Sequence, residues 1–423
     1  MRKQPVIFLG VLVLHLLLAP LCFGATYNLD DFSQEWSWSR LHTDQLQTAI
    51  DTCSINGGGT VVVPSGFWIT GTVFFKDNVT LELEKGARII AAPIPSLFPR
   101  IKTRAEAGSN KISNHALLYA EGVRNIAIRG KGTIYNIGLI DPILYERHER
   151  PHIIKFVDCT NVEVSGVSLE GTANWTQLYL LCDTIRISDI TVYAVFGSAS
   201  DGLDIDSCSN VLVENSTIDS YNDSIAIKST TSTPSENILV RNCTLRSGKR
   251  GIKVGTESIG GFRNIEFKDC IVERGRRTIY NPMPKEMRAG IFMTTVDGGD
   301  ATGITLDSIR VDGAQTPLFI VASRRLIHVE VGTMKQITLR NLTTTTLAPM
   351  PSIIASDPPG KIRELTIDHV FAEQPEHPIR FATEETLLAS QPGKPSYKMF
   401  GKTFEPAQLF ISGVSESQFS VAP

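Results

Sequence analysis

From Asn125 onward the chain repeats one short pattern, a polar residue followed by alternating apolar positions and a small or polar close. It reads NIAIRG at 125, NVEVSG at 161, TIRISD at 184, NVLVEN at 210, NILVRN at 237 and NIEFKD at 264. Fainter copies follow as GITLDS at 303, QITLRN at 336 and ELTIDH at 364. Successive copies stand 36, 23, 26, 27, 27, 39, 33 and 28 residues apart. Those intervals are too short for a strand and a helix in each unit, and they suit coils of three short strands. Period-two alternation sends Ile, Val and Leu to one face, and coils paired edge to edge lie about 4.8 Å apart. The pattern predicts an all-β chain wound as a parallel β-helix.

Register supports stacking. Cys159, Cys182 and Cys208 each stand two residues before position 161, 184 or 210, and Cys243 and Cys270 each stand six after Asn237 or Asn264. Cysteines of an exported chain can be disulfide-bonded, but small apolar residues stacked inside a coil favour buried thiols. Asn161, Asn210, Asn237 and Asn264 share one register too, which predicts amides bonded along the axis at a turn where Asn accepts left-handed backbone.

The ends differ from the middle. LHTDQLQTAIDTCS, within Tyr27 to Val62, has apolar residues at helical spacing and predicts one amphipathic helix that caps the first coil. The cap is expected over about residues 25–60 and a tail or second cap over about 385–423, where the Pro-rich stretch from Ser390 to Pro406 leads into AQLFISG, read as a last strand or lid. No linker separates a second domain, so residues 25–423 are read as one.

Arg2 and Lys3, an apolar stretch from Pro5 to Leu21 and small residues at Gly24 and Ala25 have the layout of a signal peptide, residues 1–24. A membrane anchor is the rival, but Pro5, Gly10, His15 and Pro20 interrupt a 17-residue segment that falls short of the ~20 a spanning helix needs. The expectation is a secreted or periplasmic monomer with no membrane attachment after cleavage. Without Arg2 and Lys3 the chain keeps 39 basic against 44 acidic residues, a net charge near −5, which argues against nucleic acid as a partner.

Aligning coils on their inward residues puts Leu203, Ile225, Ile252 and Ile291 in one column. One outward column then holds Asp201, Asp223, Arg250 and Ala289, the next Asp204, Ala226, Lys253 and Phe292, and a third Asp206, Lys228, Gly255 and Thr294. Single charged residues on a sheet face are ordinarily solvated. A cluster of acids and bases over adjacent coils of one face exceeds what solubility requires, and carboxylates one coil apart shift each other's pKa and can share a proton or a water.

INGGGTVVVPSG at 55, GTANWTQLYLLCDTIRISDI at 171, DGLDIDSCSNV at 201, NDSIAIKS at 222 and RGIKVGTESIGGFRNI at 250 resemble, in order and spacing, the motifs of the polygalacturonase family, glycoside hydrolase family 28. The resemblance runs from about Leu46 to Asp312. It implies a right-handed β-helix and an inverting hydrolase of pectic glycosides that needs no cofactor or metal. In that family one Asp of an Asn-Thr-Asp motif and the second Asp of an Asp-Asp pair activate water, while the first Asp of the pair protonates the leaving oxygen. Here the motifs read Ala199-Ser200-Asp201 and Asn222-Asp223, so the water-activating pair is Asp201 and Asp223 and the usual acid is an amide. The family's Gly-His-Gly reads Lys249-Arg250-Gly251, and its Arg-Ile-Lys reads Phe292-Met293-Thr294.

These residues favour a hydrolase of a pectic or related wall polysaccharide, with Glu257 as a replacement acid. An equal alternative for Glu257 is a turn carboxylate that binds Arg or backbone amides. Asp204, Asn222, Lys228, Arg250, Lys253 and Phe292 are expected to bind the substrate, and Phe292 suits the face of a neutral sugar, deoxysugar or pentose. Two other classes compete. One is a glycan-binding protein without catalysis, for which Asn222 argues; the other is a polysaccharide lyase with Arg250 or Lys253 as base and calcium on Asp201, Asp204, Asp206 and Asp223.

Overall fold

The computed structural model describes residues 24–32, 41–105, 113–136, 149–172, 174–195, 199–276, 287–326, 328–344 and 352–370, with the backbone of Ile379–Phe381, Leu409–Ser412 and Phe419–Val421. Residues 1–23 and the stretch 390–406 lie outside the described residues.

Among these residues the chain is a right-handed parallel β-helix. A twelve-stranded sheet forms one face and a twenty-stranded sheet wraps the others. The repeats stack as their alternation predicts: Ile126, Val162, Ile185, Val211, Ile238, Ile265, Ile304, Ile337 and Leu365 are register partners from coil to coil and are buried in the core. Each such side chain contributes about 1.5–3 kcal/mol by leaving water. The three faint copies thus belong to the same column.

The amide ladder forms. Asn161 Nδ2 donates to Asn125 Oδ1 at 2.8 Å, Asn237 to Asn210 at 3.2 Å and Asn264 to Asn237 at 2.9 Å, all with left-handed backbone. Where Thr184 interrupts it, Asp183 Oδ1 accepts from Asn210 Nδ2 at 2.7 Å instead. The six cysteines among the described residues are buried free thiols. The N–H of Cys159 donates to Cys182 Sγ at 3.4 Å and that of Cys182 to Cys208 Sγ at 3.3 Å.

The helix Thr43–Ile55 buries Leu46, Ala49, Ile50 and Cys53 against the first coil, covering an apolar end that would otherwise meet water. The strand Ala25–Asn28 pairs with Gly59–Val63 beside it. In the tail, Leu409–Ser412 is a strand paired with Ser352–Ser356, and Phe419–Val421, paired with Ile362–Val370, follows it, so AQLFISG forms a strand but not the last one. No helix among the described residues is long and apolar enough to cross a membrane.

Candidate active site

Four neighbouring strands of the twelve-stranded sheet, Leu203–Asp206, Asp223–Ser229, Arg250–Ser258 and Met287–Thr295, carry the expected columns. Leu203 pairs with Ile225, Ile225 with Ile252 and Ile252 with Ile291 on the inner side. On the outer side Asp223 pairs with Arg250 and Arg250 with Ala289, while Asp204, Ala226, Lys253 and Phe292 follow one another. Asp201 precedes its strand, and Gly202 brings it close in. A Cβ at Gly202 would lie 2.2 Å from Ile218 Cγ2 and 2.6 Å from the Ser224 carbonyl oxygen.

The third column is broken, which corrects the alignment. Asp206 pairs with Lys228, but beyond Ile227 the register shifts and Ser229 pairs with Ser258. Two extra residues are accommodated there. Gly255 supplies the turn with φ of 88°, and its α-carbon lies so near the Thr294 carbonyl that a Cβ would come within 2.1 Å of that oxygen. The bulge lifts Glu257 so that it turns back toward Lys253, at 3.5 Å.

The cluster is not a solvated sheet face. Asp201, Asp204, Asp223 and Lys228 are at most 1% exposed, Lys253 5% and Arg250 9%. Burial demands pairing, and the residues pair with one another. Lys228 Nζ lies 2.7 Å from Asp204 and 3.6 Å from Asp201. Arg250 and Lys253 each lie 3.1 Å from Asp223. Asp206 accepts from the N–H of Thr230 at 2.8 Å, from its hydroxyl at 2.7 Å and from Ser207 Oγ at 3.0 Å. Asn222 Nδ2 donates to Asp201 Oδ1, which also accepts from the Asp223 N–H at 3.3 Å. The buried Asn222 Oδ1 makes no hydrogen bond.

These surroundings separate the carboxyl groups. Burial and then the Asp223 charge push Asp201 above the usual carboxylate range, more than Lys228 and Lys253 pull it down. Burial works in the same sense at Asp223, but Lys253 and Arg250 outweigh it and hold the group well below that range. At Glu257 burial is likewise outweighed, by Lys253 and Lys228, which bring it down to about 2. Glu257 is therefore ionised at neutral pH and stands as the counter-ion of Lys253.

The six residues expected to bind substrate come together, with Lys228, Arg250 and Lys253 turned onto carboxylates. Phe292 is buried within the wall: Arg250 lies 4.3 Å over its ring, and Phe319 stacks on it at 5.1 Å and 3°. Ala289, Val321, Ile353 and Ala355 extend that apolar wall. Sequence reasoning passed over Trp175, whose ring centre lies 3.2 Å from Lys228 Nζ. Its signal was its place in GTANWTQ, one coil ahead of Asp201. Phe319, in an apolar strand, gave no signal apart from the core. Among the described residues no group of three or more His, Cys, Asp or Glu could hold a metal ion.

Residues 100–347 match the model of the family described as Glycosyl hydrolases family 28. A probable polygalacturonase of Vitis vinifera is 27% identical over 224 residues, 49% of this chain and 45% of that protein. The match thus spans less than half the length of that relative. The crystal structure of a hyperthermoactive exopolygalacturonase from Thermotoga maritima superposes with a TM-score of 0.65 at 21% identity, over 82% of this chain and 87% of that one. The family 28 exopolygalacturonase of Yersinia enterocolitica gives 0.66 at 15% identity, over 94% and 77%. At such identities these two likenesses show the fold.

Proposed function

This chain belongs to glycosyl hydrolases family 28, and we propose that it is an exported glycoside hydrolase acting with inversion on a pectic or related cell-wall polysaccharide. One observation carries the reading: Asp223, held ionised by Arg250 and Lys253, stands one coil from Asp201 on the same outer face. A carboxylate kept ionised can take a proton from an attacking water. Asp201 and Asp223 are the reacting pair, and Asp204, Asn222, Lys228, Arg250, Lys253 and Phe292 line or hold the site.

Phe292 does not offer its ring to a sugar, as the sequence suggested: it is fully buried, with Phe319 stacked on it at 5.1 Å and Arg250 4.3 Å over it, so its part is to support Arg250.

A non-catalytic glycan binder is the second reading, favoured by the amide at Asn222. The lyase reading needs free carboxylates for calcium, whereas Asp204 and Asp223 are clasped by cations and Asp206 by hydroxyl and backbone donors. Incubation with a panel of plant and algal polysaccharides separates the three. New reducing ends without ultraviolet absorbance support the hydrolase, and absorbance near that of unsaturated uronates supports the lyase. Retention on a polysaccharide with neither product supports the binder.

A further inference from the structure

Two members of the carboxyl cluster, Asp201 and Asp206, have no cation clasped closely onto them. Asp204 lies 2.7 Å from Lys228, Asp223 is 3.1 Å from both Arg250 and Lys253, and Glu257 leans on Lys253 at 3.5 Å. Asp206 is filled by three hydrogen bonds. Asp201 instead meets an amide and a backbone N–H on Oδ1, while its Oδ2 stands 3.6 Å from an ammonium already turned to Asp204. Its nearest charged neighbour along the outer column is an ionised carboxylate. Burial raises Asp204 and Asp206 as well, but Asp204 faces an ammonium at 2.7 Å and Asp206 is filled by donors, so between the two residues of the reacting pair, Asp201 and Asp223, a proton costs less on Asp201.

Resting on the hydrolase reading, we infer that Asp201 is the proton donor of the reaction, with Asn222 as the positioning residue that holds it. The proton leaves Asp201 for the glycosidic oxygen as the bond from that oxygen to the anomeric carbon breaks, and the bonding electron pair stays with the oxygen. A water adds its oxygen to the anomeric carbon and gives a proton to Asp223. The cycle closes when Asp223 releases that proton to solvent and Asp201 takes one up. The opposite displacements of the two titrations fit this division of labour, since paired groups pushed apart in pKa mark acid and base. An amide at 222 suits it as well: Nδ2 fixes Asp201 without adding a third negative charge.

The first arm of the test needs no substrate. The infrared spectrum of the wild type at neutral pH should contain the carbonyl band of a protonated buried carboxyl, and that band should be lost in Asp201→Asn. Asp201→Ser serves if Asp201→Asn does not fold. A wild type without the band, or a band that survives substitution, overturns the assignment. The second arm uses 2-chloro-4-nitrophenyl glycosides of galacturonic acid, rhamnose, arabinose and xylose, whose leaving group needs no proton. On whichever is cleaved, Asp201→Asn should keep at least about a tenth of the wild-type rate while losing ~10²–10⁴-fold on the polysaccharide, and Asp223→Asn should lose both. Equal losses by both variants on both substrates also overturn it. If the wild type cleaves nothing, the hydrolase reading fails, and the infrared band still decides where the proton sits.

Discussion

The backbone N–H of Asp223 donates to Oδ1 of Asp201 at 3.3 Å, and the N–H of Gly202 donates to the Asp223 carbonyl at 2.9 Å. Backbone N–H groups thus tie together the two residues proposed to react. Gly202 is the sensitive point of that link, because an added Cβ meets Ile218 and a backbone oxygen that cannot rotate away. Gly202→Ala should lower the melting temperature and cut turnover by ~10²-fold through misplacement of Asp201. A wild-type-like rate would count against the link.

Asp223→Asn should lower turnover by ~10²–10⁴-fold, as expected for a lost general base. It should also destabilise the protein, by about 3 kcal/mol, since Arg250 and Lys253 lose the carboxylate they share inside a buried site. Urea unfolding and rate assays well below the melting temperature separate the two effects. An inactive variant of wild-type stability would mean that the ion pairs do not carry weight.

Lys228→Met should be the more disruptive change, because Asp204 is fully buried and lies 2.7 Å from that ammonium. Losing one partner of a buried pair costs about 3–5 kcal/mol. Asp204→Asn in the same chain should restore most of the loss, a coupling that a double-mutant cycle reads directly. Additive losses would show that the two side chains do not depend on one another.

Acid stability follows from the sign of each shift. Glu257 and Asp223 titrate lower in the folded chain than in the unfolded one, so the stability they add is present above the ordinary carboxylate range and is lost as pH falls, for Glu257 from about 4.5 toward about 2. Asp201 has the opposite sign: its raised pKa removes stability as pH climbs from that range through its folded value. Glu257→Gln should therefore flatten the acid side of a melting-temperature profile, and Asp201→Asn should raise the melting temperature at neutral pH. Parallel profiles for both variants and the wild type would exclude these carboxyls as the cause.

The coil columns were legible because inward residues are apolar at every second position, so Leu203, Ile225, Ile252 and Ile291 fix the register of everything beside them. The same logic failed one residue past Ile227. A bulge follows from how closely Gly255 approaches Thr294, and alternation does not encode that approach. Burial of the outer charges was not legible either, since period-two reading treats an outward Asp as solvated. The roles of Arg250, Lys228 and Lys253 as counter-ions follow from distances that only the stacked coils supply. The proposed leader, residues 1–24, rests on sequence alone; if the chain is exported with cleavage there, mass spectrometry of the secreted material should find no residue before Ala25.

Asn222→Asp tests the site from the position where the family carries its acid. The new carboxyl would face Asp201 Oδ1, so the two groups would have to share a proton or repel one another beside the ionised Asp223. Such a pair titrates as a unit, with its upper pKa above that of Asp201 alone. If Asp201 donates the proton in the wild type, the alkaline limb of the pH–rate profile should move to higher pH, and turnover at the optimum should change by less than about tenfold. The acid limb, set by Asp223, should move little, because Lys253 and Arg250 still hold that group low. A gain of ~10²-fold or more with the limbs unmoved would mean that position 222 supplies the proton when it can, and that Asp201 serves only to position water. A wild type that binds polysaccharide without cleaving it, together with an Asn222→Asp variant that gains slow hydrolysis, would instead favour the glycan-binding reading.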